Sequence, residues 1–347
     1  MNRHALLCLL VLFRGFSGYC QDTVSTGYGH VLPEEFHPNS PVIDSNADVV
    51  VISDVGHAEL LDSPRVDFGR IRYTRYLKML IRNQKGVDAA KIKIGFDPDI
   101  NGSGKLSSLR ANTYNLRDGG VVKTPVDTAD MYLNTEDNGD VTESFSFPQA
   151  GAGSIIEYTY TIWSGSIWRF HSWNFQSGYP QLKSEFTATI PTLFNYAVSR
   201  QGTLAIARTV DSARQHFGDY WFWVHSMVYN FHWTVKDVPA LEPEPYVASM
   251  DDHLAGLRFQ LSAYTPVTTG RQKTFLNSWT ELNDHFYKNE AFGGIMTGSS
   301  HFLRRELREI VDDSLPDMDK AKKLFKYVRD NFIAGGNDVL PEDSRSI

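Results

Sequence analysis

The sharpest chemical pattern in the sequence is an oxygen-rich run, Asp97-Pro98-Asp99-Ile100-Asn101-Gly102-Ser103-Gly104. Oxygen donors stand at its first, third and fifth positions and a glycine at its sixth, the spacing that wraps a loop around a calcium ion. The twelfth position should supply a bidentate Glu and holds Ser108, and the flanks are strand-like. A polar hairpin loop therefore ranks ahead of a calcium site, with Asp97, Asp99 and Asn101 kept as weak metal candidates. His216, His225 and His232 lie nine and seven residues apart, which sets His225 and His232 on opposite faces of a strand. Asp251-Asp252-His253 are adjacent and read as a surface turn before a zinc set. There is no H-E-x-x-H, G-x-S-x-G or phosphate loop. The motifs thus name no catalytic residue, and neither they nor the composition call for a cofactor.

The tryptophans suggest binding chemistry instead. Trp163, Trp168 and Trp173, with Trp221 and Trp223, could stack on sugar rings across a sheet. Core packing is the first expectation for large aromatics in a β protein. It applies less to Trp168 and Trp173, which sit in a polar, turn-like stretch and are the ligand-binding candidates.

Thiol chemistry is limited by position. The two cysteines of the 347-residue chain are Cys8 and Cys20. Both fall in a segment that reads as an export signal: a basic start at Arg3, an unbroken apolar run from Ala5 to Phe13, and small residues before a cleavage point between Cys20 and Gln21. A lipid anchor on Cys20 is the rival, set back by the bulky Tyr19 in front of it. Either route predicts export to the periplasm or cell envelope. Cleavage after Cys20 leaves no thiol, hence no disulfide and no thiolate nucleophile. The net charge of −7 argues against a nucleic-acid partner, and no later stretch is apolar enough to span a membrane. Disorder is excluded by 41% hydrophobic and 22% charged residues.

The elements that would position such residues are mostly strands. Residues 21–46 are rich in Gly, Pro, Ser, Asn and Asp and read as a flexible leader. Arg70 to Arg82 alternates: Ile71, Tyr73, Leu77, Met79 and Ile81 on one face, Arg70, Arg72, Thr74, Lys78 and Arg82 on the other, with Arg75 and Leu80 breaking the rule. Its basic face reads as a solvated strand face before a binding patch. Asp48–Ile52, Lys91–Phe96, Leu106–Tyr114 and Val121–Thr124 are further strands, the last two joined by an Asp118-Gly119 turn. Ser144–Phe147, Ser154–Trp163 and Leu182–Ile190 follow; in the second, Ile156, Tyr158, Tyr160 and Ile162 oppose Glu157, Thr159 and Thr161. A second β-rich region, centred on Tyr220–Val235, runs to about residue 270. Three helical stripes then appear, around Phe275–Phe286, Leu303–Val311 and Ala321–Phe332, expected to face a core. The fold class is mainly β: an antiparallel β-sandwich over 47–191, a second β-rich region over 192–270 and a short helical segment over 271–347.

Several segments line up in order: Asp48-Val49-Val50-Val51; Arg110-Ala111-Asn112-Thr113-Tyr114-Asn115 before Asp118-Gly119-Gly120; Gly153-Ser154-Ile155-Ile156-Glu157-Tyr158-Thr159-Tyr160; Pro239-Ala240-Leu241-Glu242-Pro243-Glu244-Pro245; and Lys320-Ala321 to Asn331. Together they resemble, from about Ala47 to Asn331, the domain of unknown function that precedes a transglutaminase-like core in bacterial exported proteins. The resemblance implies a β-sandwich without assigned chemistry, followed by the first helices of a papain-like core. Such a core uses Cys, His and Asp for acyl transfer or peptide hydrolysis. In this sequence no Cys follows Cys20, so the resemblance assigns no catalytic role to His285 or His301. The expectation is a non-catalytic exported module that binds an envelope protein or glycan beside such a core. The alternatives are a fragment of a cysteine acyltransferase or peptidase whose catalytic residues lie past Ile347, and a carbohydrate-binding sandwich.

Overall fold

The computed structural model describes residues 27–61, 69–96, 104–135, 141–168, 170–217, 224–241, 249, 253–266, 269–275, 278–289, 293–294, 304–312 and 314–331. The fold is mainly β, with three sheets among the described residues. The largest has eight strands in the order β12 (Ala207–Phe217), β13 (Val224–Val238), β10 (Gln181–Pro191), β1 (Val49–Leu61), β2 (Arg70–Ile81), β8 (Ile155–Ser164), β4 (Lys105–Arg117) and β5 (Gly120–Pro125). Its pairs are antiparallel except β1 with β10, which run parallel. The expected turn between β4 and β5 forms, with positive φ of 49° at Asp118 and 77° at Gly119.

Two small sheets cover one face of the large one. One contains β3 (Lys91–Phe96), β7 (Val141–Ser146) and β6 (Tyr132–Thr135); the other contains β11 (Phe194–Gln201), β14 (Gly256–Tyr264), β15 (Lys273–Thr274) and the two-residue β9 (Trp173–Asn174). Aromatic rings join the layers. Phe145 of β7 meets Tyr158 of β8 edge-on at 6.1 Å, and Phe259 of β14 packs on Phe186 and Trp233 of β10 and β13 at 5.9 Å. Phe186 is fully buried, which contributes about 1.5–3 kcal/mol of hydrophobic stabilisation. The large sheet runs through the division expected between 191 and 192. β12 and β13 lie beyond that point in sequence and extend the sheet that β1 to β10 begin.

Residues 27–46 are not a loose leader. From Gly27 the chain is a strap seated on the other face of the large sheet, with a 3-10 turn over Pro33–Phe36 and Phe36 buried against Leu80, Tyr114 and Ile155. Lys78 Nζ donates to the carbonyl of His30 and to Glu35 Oε1, and Arg82 Nη1 donates to the carbonyls of Asp44 and Ala47. The many small and polar residues of this stretch lack a period because it is held by hydrogen bonds to the sheet rather than by its own apolar stripe. The basic face of β2 is correspondingly not a solvated face throughout: Lys78 is 5% exposed under the strap.

The three C-terminal helices form at α1 (Trp279–Lys288), α2 (Arg304–Ile310) and α3 (Asp317–Asn331). Their apolar stripes were expected to face a core and do not among the described residues. Trp279, Phe325 and Val328 are exposed, and α3 has no buried residue. No helix of the described residues is long and apolar enough to cross a membrane.

Candidate functional site

A β-bulge in β1 places the central carboxylate. Up to Val51 the odd residues of β1 face the core; the register against β2 shifts between Val51 and Ser53, and afterwards Ala58 and Leu60 do. The extra residue turns Asp54 onto the covered face, the kind of re-aiming that bulges provide. Arg75, the residue that breaks the alternation of β2, meets it there. Arg75 Nε and Nη2 donate to Asp54 Oδ1 and Oδ2 at 2.8 and 2.7 Å, a two-point ion pair. Asp54 is 2% exposed. Burial alone would lower the Arg75 guanidinium, but the charge and hydrogen bonds of Asp54 outweigh it, so its pKa is raised and it stays cationic.

The pair opens onto a cavity of about 720 Å³ between the large sheet and β9–β14. Trp173 forms one wall. Its ring lies under Arg75 at 5.2 Å and stacks on Phe186 at 5.3 Å, while Nε1 donates to Ser184 Oγ at 3.2 Å. Gly56 permits this packing, because a Cβ there would stand 2.3 Å from the Trp173 ring. Arg258 of β14, the strand paired with β9, also lines the cavity, donating from Nη1 to Asn174 Oδ1 and to the Leu257 carbonyl at 2.8 and 3.1 Å. Gln181 closes the floor, 1% exposed, with Nε2 on Ser177 Oγ at 3.0 Å and Oε1 without a partner among the described residues. Tyr73 also lines the cavity and stacks on His171 at 4.0 Å. Burial pushes the Tyr73 hydroxyl well up and the His171 imidazole down to about 4, so both are neutral at pH 7.

A second carboxylate lies under the strap. Glu157 of β8 is fully buried and accepts hydrogen bonds from Tyr76 and Tyr114 hydroxyls at 2.8 and 2.6 Å and from the Gly29 N–H at 3.0 Å. Tyr28 extends the network, accepting from Asn112 Nδ2 at 2.6 Å beneath the Arg110 guanidinium. Burial first, and the Glu157 charge with it, raises all three tyrosine hydroxyls, that of Tyr28 to about 12.

Residues 68–242 match the family described as a domain of unknown function with a solved structure, DUF3857. The chain belongs to that family. Arg75, Glu157, Trp173 and Gln181 lie within the matched span; Asp54 and Arg258, which complete the cavity, lie outside it. No curated protein sequence matches the chain. Among solved structures, it is similar to "a putative protease" from Parabacteroides distasonis, with a TM-score of 0.53 and 14% identity over 82% of this chain. The match takes in 50% of the Parabacteroides protein, so the chain spans about half of that protein's length. Leukotriene A4 hydrolase from Saccharomyces cerevisiae aligns over 67% of this chain and 33% of its own, at 11% identity and a TM-score of 0.28.

The structure separates the two tryptophan candidates. Trp173 is buried between Arg75 and Phe186, so neither ring face is free for a sugar. Trp168 is 48% exposed, edge-on to Phe275 at 4.5 Å. Trp163 is covered by Arg70 at 4.6 Å. His232 is a strand-face residue on Thr187 Oγ1 at 3.0 Å, and no cluster among the described residues could hold a metal ion. Asp97, Asp99, Asn101, Cys20, Gln21, Trp221 and Trp223 lie outside the described residues. Sequence reading did not pick out Asp54, Gln181, Arg258 or Glu157. Arg75 carried a signal, as a charge on an apolar strand face; Glu157 carried none, since it alternates as an outward residue should.

Proposed function

We propose that the chain is an exported, non-catalytic binding module of the cell envelope that seats a segment of an envelope protein in the Asp54–Arg75–Arg258 cavity. It works beside a transglutaminase-like core. The observation that carries this is the cavity itself. It is of a size that suits a short ligand segment, its walls belong to two packed sheets, and its charged groups are anchored by hydrogen bonds. The order of the sequence segments supports the neighbouring core.

The test is retention of envelope proteins by the immobilised chain, compared with Gly178→Trp. Gly178 lines the cavity and a Cβ there meets nothing within 4 Å, so a side chain can be added at the cavity without a clash at its root; unchanged thermal unfolding of the variant confirms that the fold is kept. Retention that drops in the variant supports the reading; equal retention by both, or by neither, refutes it.

A second reading has the chain as the substrate-holding part of a cysteine acyltransferase or peptidase, and it draws on the fold likeness to the Parabacteroides protein. Peptide turnover by the natural protein, abolished by a thiol-alkylating reagent, would favour it. Carbohydrate binding rests on the exposed ring of Trp168 alone; unchanged glycan-array signals in Trp168→Ala would remove it.

A further inference from the structure

We propose that the cavity selects a peptide carboxylate: a carboxylate group with an amide N–H close by. This rests on the binding-module reading and names what that module recognises. Three observations converge. The charged residues lining the cavity are Asp54, Arg75 and Arg258, two cations against one anion, so its local charge is positive in a chain whose net charge is −7. Asp54 takes up Arg75 with both oxygens, which leaves Arg258 as the cation without an ion pair among the described residues. Arg258 is nevertheless fixed, by Asn174 Oδ1 and the Leu257 carbonyl, and Gly256 beside it lets these groups approach, since a Cβ there would stand 2.8 Å from Arg258 Nη1 and Asn174 Oδ1. A guanidinium held in place with donors to spare is a carboxylate receptor.

The second requirement comes from Gln181. Its Oε1 is a buried acceptor with no partner among the described residues. Such an atom costs free energy until a donor reaches it. Gln181 and Arg258 line the same cavity, and a peptide is the ligand that carries both an N–H for the one and a carboxylate for the other. A sugar acid would lack a ring face to stack on, because Trp173 is enclosed by Arg75 and Phe186. The second large cavity, about 730 Å³ between β11 and β13, has cations but not the second requirement: Arg200 donates to the Leu204 carbonyl at 2.9 Å and Arg208 lies over Phe231 at 5.1 Å and Trp233 at 5.9 Å, while no buried acceptor without a partner among the described residues lines it.

The carboxylate could be a chain terminus or an acidic side chain. Calorimetric titration of the full chain at low salt with N-acetyl-trialanine, its C-terminal amide, and N-acetyl-Ala-Glu-Ala amide separates the two. Binding of the first or the third peptide, with trialanine amide about 10-fold weaker or more, supports the proposal and tells which source is used. Arg258→Gln should erase that preference, and Arg258→Lys should restore part of it, at unchanged thermal unfolding. Equal binding of the amide, full preference in Arg258→Gln, or no binding of any peptide overturns the proposal. If the peptides fail while wild-type chain still retains envelope proteins and Gly178→Trp does not, the carboxylate assignment falls and the binding-module reading stands.

Discussion

Asp54 and Glu157 are buried carboxylates on opposite faces of one sheet, and the contrast between them separates a site from a seal. Asp54 is neutralised by a formal cation, Arg75, and faces a cavity. Glu157 is held by two tyrosine hydroxyls and a backbone N–H, with the strap closed over it. Both satisfy the rule that a buried charge must be compensated. Only the first leaves donors in reach of a ligand. Burial of a charge is therefore common to both places; access to its partners is what sets the proposed site apart.

Replacing Glu157 tests the seal and should give the largest effect. Glu157→Ala strips the acceptor from Tyr76, Tyr114 and Gly29 together, and unfolding free energy should fall by about 3–5 kcal/mol, read from the urea midpoint at constant m. The strap should loosen with it, so hydrogen exchange should rise first at Gly29 and His30. A loss below about 1 kcal/mol would mean that the strap contributes little and that the two carboxylates differ less than their surroundings indicate. Asp54→Asn tests the site. Arg75 keeps one acceptor but loses its counter-charge, and the side chain is partly open to water, so the cost should be about 2–3 kcal/mol. The cavity also gains positive charge, so carboxylate peptides should bind more tightly as stability falls. A drop in both would show that the ion pair shapes the cavity rather than tuning it.

The two regions also differ in how far the sequence disclosed them. Period-two alternation located β2, β3 and β8 to within a residue, because a strand with one covered face must alternate. Arg75 stood out against that alternation, and the fault marked the site. Asp54 was invisible because a one-residue bulge reverses parity, and no local signal announced the bulge. Glu157 alternated as a solvent residue would; what covers it comes from residues more than a hundred positions earlier. The parallel pairing of β1 with β10, and the addition of β12 and β13 to the same sheet, are likewise long-range choices that neither propensity nor period encodes.

The smallest expected effect lies at the edge of the cavity and turns on pH. His171 stacks on Tyr73 and burial holds its imidazole down to about 4, against about 6.5 in an unfolded chain. Between those values the unfolded chain binds the extra proton, so stability must rise with pH across the window and be lost as pH falls from 6.5 toward 4. The contribution at pH 5 should be about 1–2 kcal/mol. Carboxylates and His57, also lowered by burial, titrate nearby, so the difference between wild type and His171→Phe is the quantity to measure; the variant keeps the ring stack and removes the titration. Wild type should lose more stability than the variant between pH 7 and pH 5. The Tyr76 and Tyr114 hydroxyls on the Glu157 side are pushed upward and stay protonated throughout this range. Identical pH profiles for the two proteins would place His171 in contact with water, and the cavity wall would then be looser than the strap on the opposite face.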